Sequence, residues 1–209
     1  MGSTFFNQIR ITCFGHASVL LSFNELNFYI DPYVIAKGSP AADAIFHTHE
    51  HFDHCVVPPS IKKQNTKIIS KSSKYPGMEI EIGQTINVFG VDVEAVHAYN
   101  VNKPFHPKGF GAGFIFSFPT SPKKTRIYIA GDTDLIEEMK NYKADCAILP
   151  IGGKYTMDVD QAAQAVSIIK PKLAIPYHYN YLNDTKADPQ EFARTAKLLY
   201  PDVEIKILI

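Results

Sequence analysis

At 209 residues, 45% of them apolar, the chain is long enough to bury one core, and no linker marks off a second, so a single domain over residues 1–209 is expected. Lysine plus arginine balance aspartate plus glutamate at 21 each, which excludes the global field that draws a protein to nucleic acid or anionic membrane. Three cysteines at irregular spacing, Cys13, Cys55 and Cys146, read as reduced thiols of a cytoplasmic protein and not as a disulfide framework.

Met1-Gly2-Ser3 reads as a cloning remnant. Short strands follow at roughly Gln8 to Cys13, Ser18 to Phe23 and Leu26 to Ile30, with Asn24-Glu25 as a hairpin turn. Ala44-Ile45-Phe46 reads as a buried strand leading into a histidine cluster. Pro58-Pro59-Ser60 predicts the start of a short helix, Lys67 to Ser70 a strand, and Thr85 to Val88 and Val91 to His97 two more around Phe89-Gly90. From Asn100 to Gly113 the chain has no period and holds two prolines and three glycines, so it reads as a loop long enough to be a substrate lid. Phe114 to Phe118 and Thr125 to Ala130 are strands. Asp134 to Lys140 and Asp158 to Ile169 read as helices, the second capped by Asp158 and stopped by Pro171. Ala174-Ile175 is a short strand, Asp188-Pro189 opens a helix through Leu199, and Val203 to Leu208 closes the chain as a strand. The pattern gives an α+β class, and no apolar run approaches membrane-spanning length.

The chemistry is concentrated in Thr48-His49-Glu50-His51-Phe52-Asp53-His54. On an extended segment His49 and His51 point to one side and can reach one cation, and Asp53 and His54 can address a second. Imidazole and carboxylate suit zinc, manganese(II) and iron(II) alike. His47 shares the phase of His49 and reads as structural.

His49-x-His51-x-Asp53-His54 resembles the motif of the metallo-beta-lactamase superfamily. Four further marks of that family stand in order: Asp31 closing Asn27-Phe28-Tyr29-Ile30, His97 closing Val91 to Val96, Asp132 in Gly131-Asp132-Thr133, and His178 after Leu173 to Tyr177. Phe14-Gly15-His16-Ala17, Ile30-Asp31-Pro32, Leu149-Pro150-Ile151-Gly152-Gly153, Tyr155-Thr156-Met157-Asp158 and Pro176-Tyr177-His178-Tyr179-Asn180 look like the small metal-dependent hydrolases that include ascorbate-phosphate lactonase.

The resemblance implies a four-layer αββα sandwich of two mixed sheets with helices outside. It implies two divalent metal ions, Zn2+ first and Mn2+ or Fe2+ as alternatives. His49, His51 and His97 would hold one and Asp53, His54 and His178 the other, with Asp132 bridging. A hydroxide between the metals would cleave an ester, lactone or phosphoester of a small metabolite, and the net positive site would favour an anionic one; Asp53 and Asp132 are the carboxylates expected to take part in catalysis. Asp31 is the expected orienting partner of the imidazoles. His16, His106 and Lys108 are candidates for contacts around the metals or with substrate. The expected partner is a small molecule, with no nucleic acid and no membrane, and a homo-oligomer is compatible. A mononuclear iron dioxygenase or other redox protein on the same fold, or a nucleotide phosphodiesterase, are the competing readings.

Overall fold

Alternation of apolar residues along the strands dictates two sheets whose inner faces meet. Ile9, Ile11 and Cys13, then Val19 and Leu21, then Phe28 and Ile30, face Val91, Val93 and Ala95 and Phe114, Phe116 and Phe118 across one core. Aromatic edges lock the layers, with Phe46 and Phe116 ring centroids 4.9 Å apart and Phe28 and Phe118 5.9 Å apart. The computed structural model describes residues 1–71 and 77–209.

The first sheet runs in sequence order: β1 (Gly2–Phe6), β2 (Ile9–Gly15), β3 (Ser18–Phe23), β4 (Leu26–Ile30), β5 (Ala44–His47), β6 (Lys67–Ser70) and β7 (Met78–Glu79). The second comprises β8 (Thr85–Val88), β9 (Val91–Ala98), β10 (Gly111–Phe118), β11 (Thr125–Ile129), β12 (Cys146–Pro150), β13 (Leu173–Tyr177) and β14 (Glu204–Ile205), again in sequence order. In each sheet the first four strands form an antiparallel meander and the last three continue in parallel from the fourth.

Two helices cover the outer face of the second sheet. α1 (Val159–Ile169) starts at a capping box, in which the Asp158 side chain accepts from the Gln161 N–H and the Gln161 side chain accepts from the Asp158 N–H. α2 (Pro189–Leu199) has Asp188 as its cap and proline at its first turn. Ala162, Ala165, Val166, Phe192 and Ala196 pack there on Ile115, Tyr128, Ala147 and Leu149. Over the first sheet the outer layer is loop: Val34, Ile35, Ala36, Ala42, Val57 and Ile61 pack on Phe14, Leu20, Tyr29 and Ile45.

Several elements depart from the sequence reading. Gly2–Phe6 is an edge strand paired to β2, with Gly2 opposite Cys13, so the segment read as a remnant is part of the sheet. No helix forms at Pro58; both Ile61 and Lys62 donate to its carbonyl, and a single turn results. The segment read as a helix from Asp134 is a 3-10 turn over Glu137–Asn141. β12 was not read as a strand, because a strand buried on both faces carries no alternation. All three cysteines are buried, and none is in a disulfide. No helix among the described residues is long and apolar enough to cross a membrane.

Candidate metal centre

The polar residues gather beyond the carboxyl ends of the parallel strands, where open sheets of this kind bind their ligands. Asp31 follows β4, the histidine cluster follows β5, Asp132 follows β11 and His178 follows β13, while His16 sits in the turn after β2. His16, Asp31 and His178 all have left-handed backbones, with φ of 48°, 46° and 55°, a conformation that costs energy in an L-residue and clusters at functional sites. Gly131 serves the same junction: its φ is 67°, and a Cβ there would lie 2.9 Å from the Ala112 carbonyl oxygen.

Hydrogen bonds settle which ring nitrogens are free. The Thr48 hydroxyl donates to Asp31 Oδ2 at 2.6 Å, so it must accept from His49 Nδ1 at 2.9 Å. His49 Nε2 is left with its lone pair. The Asn100 amide group donates to Asp134 and to the Tyr155 carbonyl, so its oxygen accepts from His106 Nδ1 at 3.0 Å and frees His106 Nε2. His49 Nε2 lies 3.1 Å and His106 Nε2 3.2 Å from His51 Nδ1. Three nitrogens bound tetrahedrally at the usual zinc distance would be about 3.3 Å apart. Among the described residues His49, His51 and His106 form one metal-capable group and His16, His54 and His178 another, with Asp31, His49 and His54 a third that overlaps both.

Asp132 lies between the first two groups. Its Oδ1 is 3.2 Å from His178 Nε2, and its Oδ2 is 3.5 Å from His106 Nε2 and 3.6 Å from His54 Nε2. Despite that closeness, Asp132 Oδ1 and His178 Nε2 are both buried without a hydrogen-bond partner. A buried carboxylate oxygen and a buried imidazole nitrogen 3.2 Å apart, neither with a hydrogen-bond partner, fit a shared cation.

The electrostatics agree. Burial alone would raise the Asp132 carboxyl, but the imidazoles of His178 and His54 hold it well below the usual carboxylate range. Burial would likewise depress His54, yet Asp132 and Asp31, the latter 2.8 Å from His54 Nδ1, push it up to about 9. Burial is the largest influence on Asp53 and would raise it, but His16, whose Nε2 is 3.0 Å from Asp53 Oδ2, and His54 bring it down to about 2. The carboxylates therefore favour positive charge at this spot.

Two sequence expectations need correction. His97 joins no metal-capable group among the described residues, and neither do Asp53, which His16 holds, and Asp132, which lies between the first two groups; the His97 ring packs edge-on against Tyr99 at 6.2 Å. His106 stands beside His49 and His51 instead, because the loop after β9 doubles back, with the Asn100 N–H donating to the His106 carbonyl at 2.7 Å. Lys108 does not face the site: it is exposed and pairs with Glu138 at 2.7 Å. Thr48 and Asn100, which fix the imidazoles, went unread. Their signal is their position, one beside the first motif histidine and one at the start of the aperiodic loop.

Residues 10–178 match the family described as Beta-lactamase superfamily domain. A UPF0173 metal-dependent hydrolase of Nanoarchaeum equitans is 36% identical over 207 residues, covering 90% of this chain and 92% of its own. One from Methanopyrus kandleri is 33% identical, with 96% of each chain covered. The chain belongs to the metallo-beta-lactamase superfamily. A solved structure from Parabacteroides distasonis, provisionally described as a metal-dependent hydrolase, superposes with a TM-score of 0.84 at 31% identity, covering 99% of this chain and 97% of that one. The metallo hydrolase Igni18 of Ignicoccus hospitalis gives 0.76 at 26% identity, with 96% and 94% covered. This superfamily member is a metal-dependent hydrolase with the two-sheet core of the αββα sandwich fold, helices covering the second sheet and, among the described residues, loop covering the first. Its metal-capable groups open into a cavity of about 340 Å3 lined by His51, Asp53, His54, His106, Asp132 and His178 together with Phe52, Phe105, Tyr155 and Leu182. A larger cavity, about 520 Å3, lies away from the histidines on the outer side of the first sheet, near Arg10 and Lys37. Chemistry, not size, makes the first the candidate active site.

Proposed function

We propose that this hydrolase holds two divalent cations, zinc being the reference case, and cleaves an ester, lactone or phosphoester of a small molecule. His49, His51 and His106 would hold one cation and Asp53, His54 and His178 the other, with Asp132 shared. Cations held there would supply a hydroxide near neutral pH, since bound water can fall from a pKa of about 15.7 to about 7 in favourable zinc sites, and would polarise the bond to be cleaved.

The chain's own residues set the geometry. Asp31 steers His54 directly and His49 through Thr48, Asn100 steers His106, and His16 fixes the Asp53 carboxylate. Asp53 and Asp132 provide the negative charge that offsets the cations and leaves the site net positive, suited to an electron-rich carbonyl or phosphoryl oxygen.

The observation that carries this reading is the Asp132 carboxylate, one oxygen 3.2 Å from His178 and the other 3.5 Å from His106. The test is metal analysis of protein purified without chelator, followed by a panel of esters, lactones and phosphodiesters. About two equivalents of metal and chelator-sensitive hydrolysis that collapses in Asp132→Ala, with the fold intact, are expected. Unchanged turnover in that variant removes Asp132 from the mechanism, and oxygen consumption by an iron-loaded protein replaces hydrolysis with redox chemistry.

A further inference from the structure

The wall of the metal cavity is apolar wherever it is not metal-capable. Phe52, Phe105, Tyr155 and Leu182 complete the lining, and no lysine or arginine among the described residues joins it. The nearby cations are engaged elsewhere. Lys103 is tied to Asp134 and to the Gly153 and Thr156 carbonyls, Lys108 is tied to Glu138, and Lys154, over the Tyr155 ring, pairs with Asp184.

The aromatic rings also extend past the cavity. Phe52 is 76% exposed, and it meets Tyr33 edge-on at 6.2 Å; Tyr33 in turn meets Tyr181 at 6.3 Å. Tyr33 and Tyr181 are themselves 38% and 48% exposed. On the other side Phe105 stands edge-on to Tyr155 at 4.7 Å. Exposed rings contiguous with a concave site mark a surface that a ligand covers.

Resting on the hydrolytic reading above, we infer that the substrate is a neutral ester or lactone carrying an aromatic or similarly flat apolar group, received between Phe52 and the Phe105–Tyr155 pair. Hydrolysis consumes one water: its oxygen bonds the carbonyl carbon, the carbon–oxygen bond to the leaving group breaks, and the leaving oxygen takes one proton while the new acid releases the other. The ring makes no bond. Its burial against the wall supplies orientation and affinity.

Three methyl esters separate the alternatives, because they share the scissile bond: methyl phenylacetate, methyl acetate and the monomethyl ester of succinate, assayed by acid release with metal-loaded protein. Methyl phenylacetate is expected to exceed the other two in kcat/KM by roughly tenfold to a hundredfold, the worth of burying one ring. In Phe52→Ala and Phe105→Ala that ratio should fall toward one, mainly through KM. Preference for the succinate ester, or a ratio untouched by both substitutions, overturns the inference and leaves the hydrolytic reading standing. If none of the three esters turns over, ester hydrolysis is excluded, lactone and phosphoester hydrolysis are left to the panel above, and saturation-transfer NMR with phenylacetamide against acetamide decides the wall preference alone. Ring-selective contact that is lost in both variants supports it, and equal contact by the two amides overturns it.

Discussion

The His178 N–H donates to the His16 carbonyl at 3.0 Å, and the two rings stand 4.3 Å apart. His16 follows a strand of one sheet and His178 a strand of the other, so this backbone bond, with that from the Ala112 N–H to the Thr48 carbonyl at 2.9 Å, ties the two sheets together at the metal centre. Both residues have left-handed φ, which turns each chain back after its strand and brings the rings together.

Asp31 accepts from the Thr48 N–H, the Thr48 hydroxyl and His54 Nδ1. Asp31→Asn keeps the size and tolerates the left-handed backbone, but it weakens the acceptor that orients two imidazoles. Metal affinity should fall about 10–100-fold in a competition titration against a chromophoric chelator. Thr48→Val should cost less, since only His49 loses its partner. Equal affinity in Asp31→Asn and wild type would deny it the orienting role.

His106 and His97 offer a direct comparison. His106→Ala should lose one equivalent of metal by mass spectrometry, whereas His97→Ala should keep both. The reverse result would restore His97 as the ligand and make the loop geometry wrong.

Lys103 is three-quarters buried at the side chain and sits 2.6 Å from Asp134, which is almost fully buried. Lys103→Met keeps the stem and removes the cation that faces this carboxylate. Stability should fall on the order of 2 kcal/mol, or roughly 4–8 °C in Tm for a chain of this size. An unchanged melting curve would mean that Asn100 and the Val101 N–H satisfy Asp134 without the lysine.

The pH dependence of the loop anchor has a definite sign. Burial would raise the Glu138 carboxyl, but hydrogen bonds from Lys108, the backbone and Tyr99 outweigh it and hold it at about 2. Because the folded value lies below the ordinary glutamate value of about 4.3, its stabilisation is complete above the latter and is lost as pH falls through about 2. The Tm gap between wild type and Glu138→Gln should be open at pH 6 and closed near pH 2. A gap that persists at pH 2 would show that charge plays no part.

The motif histidines were legible because four chemically committed side chains stand in six positions beside an apolar strand. Asp132 and His178 were legible from their places after strands β11 and β13. His106 was not, because a loop without periodicity gives no hint that it folds back over His51, and a histidine closing a strand, His97, offered the simpler reading. β9 showed itself through alternation, whereas β12 is buried on both faces and did not, and β1 alternates but was masked by its place at the start of the chain. The loop layer over the first sheet was equally hidden, since Val34, Ile35 and Ile61 reach their packing partners only through tertiary contacts.

Each sheet repeats one plan, a four-strand meander followed by three parallel strands, and an aspartate follows the fourth strand of each, Asp31 directly and Asp132 three residues on. The duplicated address has diverged in use: one carboxylate aims imidazoles, and the other lies between the two nitrogen clusters. A chain severed between β7 and β8 would part His49, His51 and His54 from His106, Asp132 and His178, so neither fragment could assemble the centre alone. Competence belongs to the union of the halves, and complementation between separately made fragments is the form in which that dependence becomes visible.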